Sequence, residues 1–269
     1  MKIWKNTKTL DAFLPGMTYT ESAEEADLAI IGGKKIALGP MPNLKGIFKC
    51  GIGTDNIPFE EAKKRNIAIG LPSQTTAEAI YEETANYAVH LILQQLYKNT
   101  GDLEKWTKAV RPALSARQVL IIGTGNIGGK VANKLNALVK VDTFDAMTNQ
   151  AIELEEKIKQ ADAISLHIPL SPKTENFFDA AKLGWMQEGA SLINTARGPL
   201  VDESALLQKI EAGTITAAFD VFWKEPYHGP LRKFHPERFF MSPHISSNSN
   251  CFLEGLAEDF KQFAQHTLN

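Results

Sequence analysis

The sequence predicts an α/β protein built on parallel, doubly wound sheets, and three observations carry that prediction. Apolar strand segments at 118–122, 139–144, 162–167, 190–194 and 215–220 alternate with helical patterns near 126–137, 150–160, 179–187 and 202–212. The strand segments are almost continuously apolar, as strands are when crossover helices cover both faces of a parallel sheet. The length of 269 residues, against roughly 150 residues per domain, favours two modest domains over one.

The earlier part of the chain follows the same grammar. Leu28-Ala-Ile-Ile31 is a short apolar run closed by Gly32-Gly33, and Ile47-Phe48 leads into Cys50-Gly51, each as a strand feeding a tight loop. Phe59 to Arg65 reads as a charged helix, Ile67-Ala-Ile69 as a strand, and the breaker-rich Gly70–Thr76 as a hinge. From Ala77 to about Tyr97 the spacing predicts one long helix. Ile80, Thr84, Ala88, Leu91, Ile92, Gln95 and Leu96 face inward and Glu82, Glu83 and Gln94 face water. Its span is about 31 Å. Asn99 to Ser115 reads as an irregular loop, and a last helix runs from about Asn248 to His266.

Composition narrows the function classes. With 29 basic against 31 acidic residues and a net charge of −2, the chain lacks the basic surplus of a protein held to nucleic acid by phosphate contacts. No apolar run approaches the ~20 residues that span a bilayer. The basic start, Met1 to Lys8, runs into Leu10-Asp11 without an apolar core, so no secretory signal is expected. Cys50 and Cys251 form no CxxC pair and read as buried thiols in a reducing compartment, which predicts a cytoplasmic protein. No metal site is expected.

Gln118-Val-Leu-Ile-Ile122 runs directly into Gly123-Thr-Gly-Asn-Ile-Gly128 and then a helix whose inner face is Ile127, Val131, Leu135 and Leu138. A strand, a GxGxxG turn and a helix in that order make a dinucleotide site. Gly123 permits the turn, Gly125 admits the pyrophosphate and Gly128 lets the helix pack on the strand. The helix N-terminus offers N–H groups and partial positive charge to the phosphates. A second strand ends at Asp145, where a carboxylate bonds the ribose 2′-hydroxyl and repels a 2′-phosphate, and no arginine follows through Gln150. NAD is therefore expected over NADP.

Three polar residues follow predicted strands: Arg197 after Leu192–Ala196, Glu225 in Asp220-Val-Phe-Trp-Lys-Glu-Pro226, and His244 in Ser242-Pro-His-Ile245. Ligands of open parallel sheets bind beyond the carboxyl ends of strands. There an arginine holds a carboxylate with two hydrogen bonds, and a histidine steadied by a carboxylate exchanges a proton. That triple suits a 2-keto acid reductase. Singly, each has a structural alternative: Arg197 paired with Asp202, Glu225 a solvated loop charge, His244 a satisfied structural histidine.

These stretches, with Cys50-Gly-Ile-Gly-Thr-Asp-Asn-Ile57, His167-Ile-Pro169, Thr174 and Asn194-Thr-Ala-Arg-Gly198, resemble the NAD-dependent D-2-hydroxyacid dehydrogenases, a family that includes D-3-phosphoglycerate, glycerate and D-lactate dehydrogenases. The resemblance runs from about residue 28 onward. It implies two Rossmann-like domains, the larger NAD-binding one (77–247) inserted into a smaller substrate-binding one (1–76 and 248–269), and closure between them around the reaction. It implies that Arg197 binds the substrate carboxylate, that His244 is the acid/base, and that Glu225 holds its ring and favours its protonated form. Ile52 and Gly53 would offer amides to the substrate. Asn126 and Ile127 would meet the pyrophosphate, Ile168, Pro169 and Thr174 would flank the adenosine, and Thr195, Ala196 and Asp220 would position the nicotinamide. A small 2-keto acid or D-2-hydroxy acid as substrate and a homodimer are implied too.

Two departures bear on substrate identity. The Asn-Thr-Pro common before the crossing helix is replaced by Leu71-Pro-Ser-Gln-Thr-Thr76, and the loop Gly32–Ala37 is terse. Lys34 and Lys35 read either as a solvated pair or as contacts to a substrate phosphate or second carboxylate. An NAD-sensing co-repressor-like protein is the competing reading from another class; a phosphite-type dehydrogenase competes within chemistry. Formate enzymes carry Gln where this chain has Glu225.

Overall fold

Strand and helix alternate along nearly the whole chain in the computed structural model, which describes residues 1–268. In chain order the elements are β1 (Ile3–Lys5), β2 (Leu28–Ile31), β3 (Gly46–Lys49), α1 (Phe59–Lys64), β4 (Ala68–Gly70), α2 (Gln74–Leu96), β5 (Gly101–Asp102) and β6 (Thr107–Lys108). There follow β7 (Gln118–Ile122), α3 (Asn126–Leu135), β8 (Lys140–Phe144), α4 (Glu153–Gln160), β9 (Ala163–Leu166), α5 (Ala180–Trp185) and β10 (Ser191–Asn194). The last are α6 (Glu203–Ala212), β11 (Thr216–Phe219), β12 (Phe239–Met241) and α7 (Asn250–Leu268). The chain divides into two compact units, Met1–Ile80 with the segment from Ser247 onward, and Tyr81–Ser246.

The smaller unit holds four parallel strands in sequential order, β1-β2-β3-β4. Alternation along β2 sends Leu28 and Ile30 to one apolar layer, with Phe48 and the α7 residues Leu256 and Phe260, and sends Ala29 and Ile31 to the other, with Ile47 and Ala62. The rings of Phe48 and Phe260 meet edge-on at 5.4 Å. Both faces of this sheet are therefore dry, which is why its strands carry no polar alternation.

In the larger unit six parallel strands lie in the order β12-β11-β10-β9-β7-β8. Leu120, Ile122, Ile164, Leu166, Leu192 and Phe219 point into one core, while Val119, Ile121, Ala163, Ile193 and Ala218 point into the other with α2 residues Ala85, Ala88, Leu91 and Ile92. The strand order reverses direction at β7: β8 follows on one side and β9 on the other. That is a topological switch point, the place at the carboxyl edge where ligands of such sheets bind.

Local chemistry sets the helix ends. Asp179 and Asp202 cap α5 and α6 by accepting from the Lys182 and Ala205 amides, each at 3.0 Å. α2 begins three residues before the expected Ala77 because the Ser73 hydroxyl accepts from the Thr76 amide at 3.3 Å, so Gln74–Thr76, expected in a hinge, form its first turn. Several other expectations are corrected. Leu138 is exposed, because α3 stops at Leu135. Gln94 is half-buried, its Oε1 enclosed without a partner, instead of facing water. Residues 99–115, expected as irregular, contain the β5–β6 antiparallel hairpin. The two cysteines, expected to be buried, are half-buried at Cys50, where desolvation pushes the pKa up to about 12, and exposed at Cys251; both are free. Among the described residues no helix is long and apolar enough to cross a membrane.

Candidate active site

The catalytic candidates come together at the carboxyl edge of the large sheet. Arg197 follows β10, Glu225 follows β11 and His244 follows β12, three neighbouring strands in the order β12-β11-β10. His244 Nδ1 and Glu225 Oε2 are 2.9 Å apart. The other carboxylate oxygen, Oε1, accepts from the Phe222 amide at 3.0 Å. Burial pushes the Glu225 pKa up, but the His244 hydrogen bond and charge, the Phe222 amide and the Arg197 charge outweigh it, and the net shift is downward. Both side chains remain about a third open to solvent, so a proton can be exchanged.

His244 adopts φ 56°, a left-handed conformation uncommon for a residue with a Cβ. Asp220, fully buried, explains how it is held. Its Oδ1 accepts from Ser242 Oγ at 2.6 Å and the Ile245 amide at 2.9 Å, and its Oδ2 accepts from the Ser246 amide at 2.9 Å. The loop is pinned on both sides of the histidine. Asn194 does the same for Arg197. Fully buried, it accepts from the Ala196 amide at 3.0 Å and donates to the Arg197 carbonyl at 2.8 Å. The Arg197 guanidinium turns back to donate to the Ala196 carbonyl at 2.7 Å. Asp202 caps α6, and Glu225 is paired with the histidine rather than being a solvated loop charge.

Gly198 joins the two loops, a role its sequence position does not reveal. A Cβ there would sit 2.1 Å from the Phe222 backbone carbon and 2.4 Å from the Trp223 nitrogen. Gly198→Ala is expected to push apart the segments carrying Arg197 and Glu225, destabilising the fold by about 1–3 kcal/mol and lowering turnover. Urea denaturation with parallel kinetics checks it. Gly39→Ala, where a Cβ meets nothing within 4 Å, is the control.

The glycine turn suits a dinucleotide. Gly123 has φ 92° and a Cβ there would meet the His167 carbonyl at 2.7 Å; one at Gly128 would meet the Gly123 carbonyl at 1.9 Å. The turn, the helix and the loop after β9 are thus in contact. A Cβ at Gly125, by contrast, meets nothing within 4 Å, so the middle glycine faces open space beside the α3 N-terminus and the amides of Asn126 and Ile127. No side chain caps that helix start. Asp145 ends β8 with Oδ2 accepting from the Thr124 amide at 3.0 Å and hydroxyl at 2.9 Å, and Oδ1 from the Met147 amide at 3.0 Å. The Thr124 amide, then the Met147 amide and Thr124 hydroxyl, hold its pKa below the usual carboxylate value.

Other expected contacts fall along the same edge. Thr174 Oγ1 donates to the Pro169 carbonyl at 2.7 Å and accepts from the Ser171 amide at 2.8 Å, shaping the turn after Ile168. Thr195 is buried with its Oγ1 unpartnered among the described residues, an orphan donor of the kind a ligand satisfies. His167 contacts Ser165 Oγ at 2.8 Å, and burial pushes its pKa down to about 4, so it stays neutral. In the smaller unit, Gly51 takes φ 128°, and among the described residues the Ile52 and Gly53 amides donate to no protein acceptor. Lys34 and Lys35 are exposed.

Comparison with known proteins identifies the family. Residues 93–246 match the family described as D-isomer specific 2-hydroxyacid dehydrogenase, NAD binding domain. A glyoxylate reductase from Thermofilum pendens is 31% identical over 91% of this chain and 75% of its own. The D-lactate dehydrogenase of Aquifex aeolicus, solved with NAD and lactic acid, superposes with a TM-score of 0.80 at 23% identity over 100% of this chain and 96% of that one. An NADPH-dependent glyoxylate/hydroxypyruvate reductase from Sinorhizobium meliloti, solved with NADP and malonate, does so at 0.76, with 22% identity over 96% and 90%. The chain belongs to the D-isomer specific 2-hydroxyacid dehydrogenase family, oxidoreductases that act on CH–OH groups with a nicotinamide cofactor.

Proposed function

We propose that this enzyme reduces a small, unbranched 2-keto acid of the glyoxylate or hydroxypyruvate class to the D-2-hydroxy acid, with NADH in preference to NADPH. The observation that carries the reading is the 2.9 Å His244–Glu225 pair beside the Arg197 loop, at the same sheet edge as the glycine turn. Residues 77–247 are assigned to the cofactor, and residues 1–76 with 248–269 to substrate recognition.

The nicotinamide, when bound, supplies or accepts the hydride at C2. Arg197 holds the substrate carboxylate and draws charge from the C2 carbonyl. His244 gives its proton to the C2 oxygen in reduction and takes it back in oxidation, while Glu225 keeps the ring oriented and offsets its charge. Ile52 and Gly53 are assigned as amide donors to the carboxylate. The amides of Asn126 and Ile127 at Gly125 would hold the pyrophosphate, Asp145 the ribose, and Ile168, Pro169 and Thr174 the adenosine. Thr195 and Ala196 would hold the nicotinamide, with Asp220 positioning them from behind. Asp145 supports NADH: its carboxylate is kept ionised by three hydrogen bonds and repels a 2′-phosphate. The free cysteines fit a reducing, cytoplasmic setting, and a homodimer accompanies the family reading.

The test is turnover with glyoxylate, hydroxypyruvate, pyruvate, longer 2-keto acids and 3-phosphohydroxypyruvate, using each reduced cofactor. Turnover is expected with the small acids and NADH, and Asp145→Ala should narrow the preference for NADH over NADPH by about tenfold, the worth of one charge-assisted hydrogen bond. Tight NADH binding with no turnover across the panel would favour an NAD-sensing protein instead.

A further inference from the structure

We propose a second ligand site, for a small oxyanion of the phosphate class, in the cavity at the opposite, amino-terminal edge of the large sheet. The cavity holds about 230 Å³ and is lined by Gln95, Lys98, Arg111, Arg117, Asp162 and Ser191, among others. The parallel strands β7, β9, β10 and β11 all begin at this edge, so it lies across the sheet from the loops that carry Arg197, Glu225 and His244.

The argument is one of charge. Lys98 reaches in from just past the end of α2 and donates to the Gly189 carbonyl at 3.2 Å, Ser191 Oγ at 3.3 Å and Thr216 Oγ1 at 2.6 Å. All three acceptors are neutral, and among the described residues no carboxylate pairs with this ammonium. The Lys98 side chain stays open to solvent at this edge, so its charge is within reach of a ligand entering the cavity. Burial, then the nearby Arg117 charge, push the Lys98 pKa down to about 8. Two like charges therefore face the same cavity. Arg117 is paired through Nη1 with Asp162, but its Nε is enclosed with no acceptor among the described residues. Arg111 stands exposed at the rim with its guanidinium 4.5 Å from the centre of the Tyr97 ring. Three cations and one carboxylate line the cavity, an excess of two positive charges.

A multivalent oxyanion answers each of these features. Its charge offsets the Lys98–Arg117 repulsion, and its oxygens offer the acceptors that the guanidinium forks of Arg111 and Arg117 match. The hydroxyls of Ser191 and Thr216, 2.8 Å apart, stand behind the ammonium and hold it in place as acceptors. The volume suits a phosphate or a short phosphate ester and excludes a dinucleotide.

Inorganic phosphate is the probe, titrated calorimetrically into the full chain at low ionic strength with the nicotinamide cofactor at saturation, so that the glycine turn is filled. One saturable site per chain is expected, with Kd of about 1 mM or tighter. Arg111→Gln, an exposed change that does not touch the core, should weaken it about tenfold or more, the scale of a charge-assisted hydrogen bond. Arg197→Gln should leave phosphate binding unchanged, and malonate should compete more weakly than phosphate. Absence of saturable binding up to about 20 mM, an Arg111→Gln isotherm matching wild type, loss of binding in Arg197→Gln, or malonate binding more tightly than phosphate would each overturn the assignment.

Discussion

His244→Ala is expected to lower kcat with glyoxylate by about 10²- to 10⁴-fold, the usual worth of a positioned general acid, while the Kd for NADH stays within about twofold. The split follows from where the residue sits. Its ring contacts the Glu225 carboxylate, whereas the dinucleotide cradle is formed by Gly123–Gly128 and Asp145 after other strands. Glu225→Gln separates orientation from charge. The amide keeps a hydrogen-bonding group at the same place but removes the anion, so a smaller loss of about 10- to 100-fold is expected. The pH profile gives the sign. The Glu225 pKa is lowered, so its ionised pairing is present above the ordinary glutamate value and is lost only as pH falls through the lowered one. Across the neutral range the carboxylate is charged. In Glu225→Gln the titrating carboxylate is gone, and the acid limb set by its protonation is lost. A kcat for His244→Ala within about threefold of wild type, or an acid limb that persists in Glu225→Gln, would remove the acid/base assignment.

What the sequence discloses about this molecule is what lies close together along the chain. The glycine turn, its strand and its helix occupy a single stretch from Gln118 to Leu135, and each of Arg197, Glu225 and His244 sits within a short motif just past a strand. Such features are legible because strand, turn and functional residue are neighbours in sequence. The supports behind them are not. Asp220 holds the His244 loop through partners 22 to 26 residues away, and Gly198 is forced to be glycine by the backbone of Phe222 and Trp223. Periodicity carries no trace of either. β1 and β12, three residues each, are too short for alternation to register, and they are strands because β2 and β11 pair with them. The Lys98 cavity is assembled from Gln95, Arg111, Asp162 and Ser191, and only the parallel order of the sheet brings these together.

Arg197→Gln carries the other large expected effect: a fall in kcat/KM of about 30- to 5,000-fold, equivalent to the 2–5 kcal/mol that follows removal of one partner from a buried, hydrogen-bonded charge pair. Both parameters should move. On the proposed reading KM rises because the carboxylate loses its anchor, and kcat falls because the guanidinium would also stabilise the oxygen on which charge develops at C2. Arg197→Lys keeps the charge but loses the planar fork, so it should recover only part of the loss. The scaffold makes this a clean substitution. Asn194 fixes the backbone on both sides of the side chain through the Ala196 amide and the Arg197 carbonyl, so truncating the guanidinium leaves the loop in place. Thermal stability and NADH affinity should accordingly stay close to wild type, unlike Gly198→Ala, which moves the loop itself. One consequence distinguishes a substrate anchor from a structural arginine. The Arg197 charge is one of the contributions that hold Glu225 ionised, and its removal shifts the acid limb of the rate profile toward higher pH as well as weakening binding. Steady-state kinetics across pH with glyoxylate and with a 2-keto acid amide decide it. Arg197→Gln should lose its disadvantage against wild type on the uncharged amide, and an equal loss on acid and amide would show that the guanidinium does not hold the carboxylate.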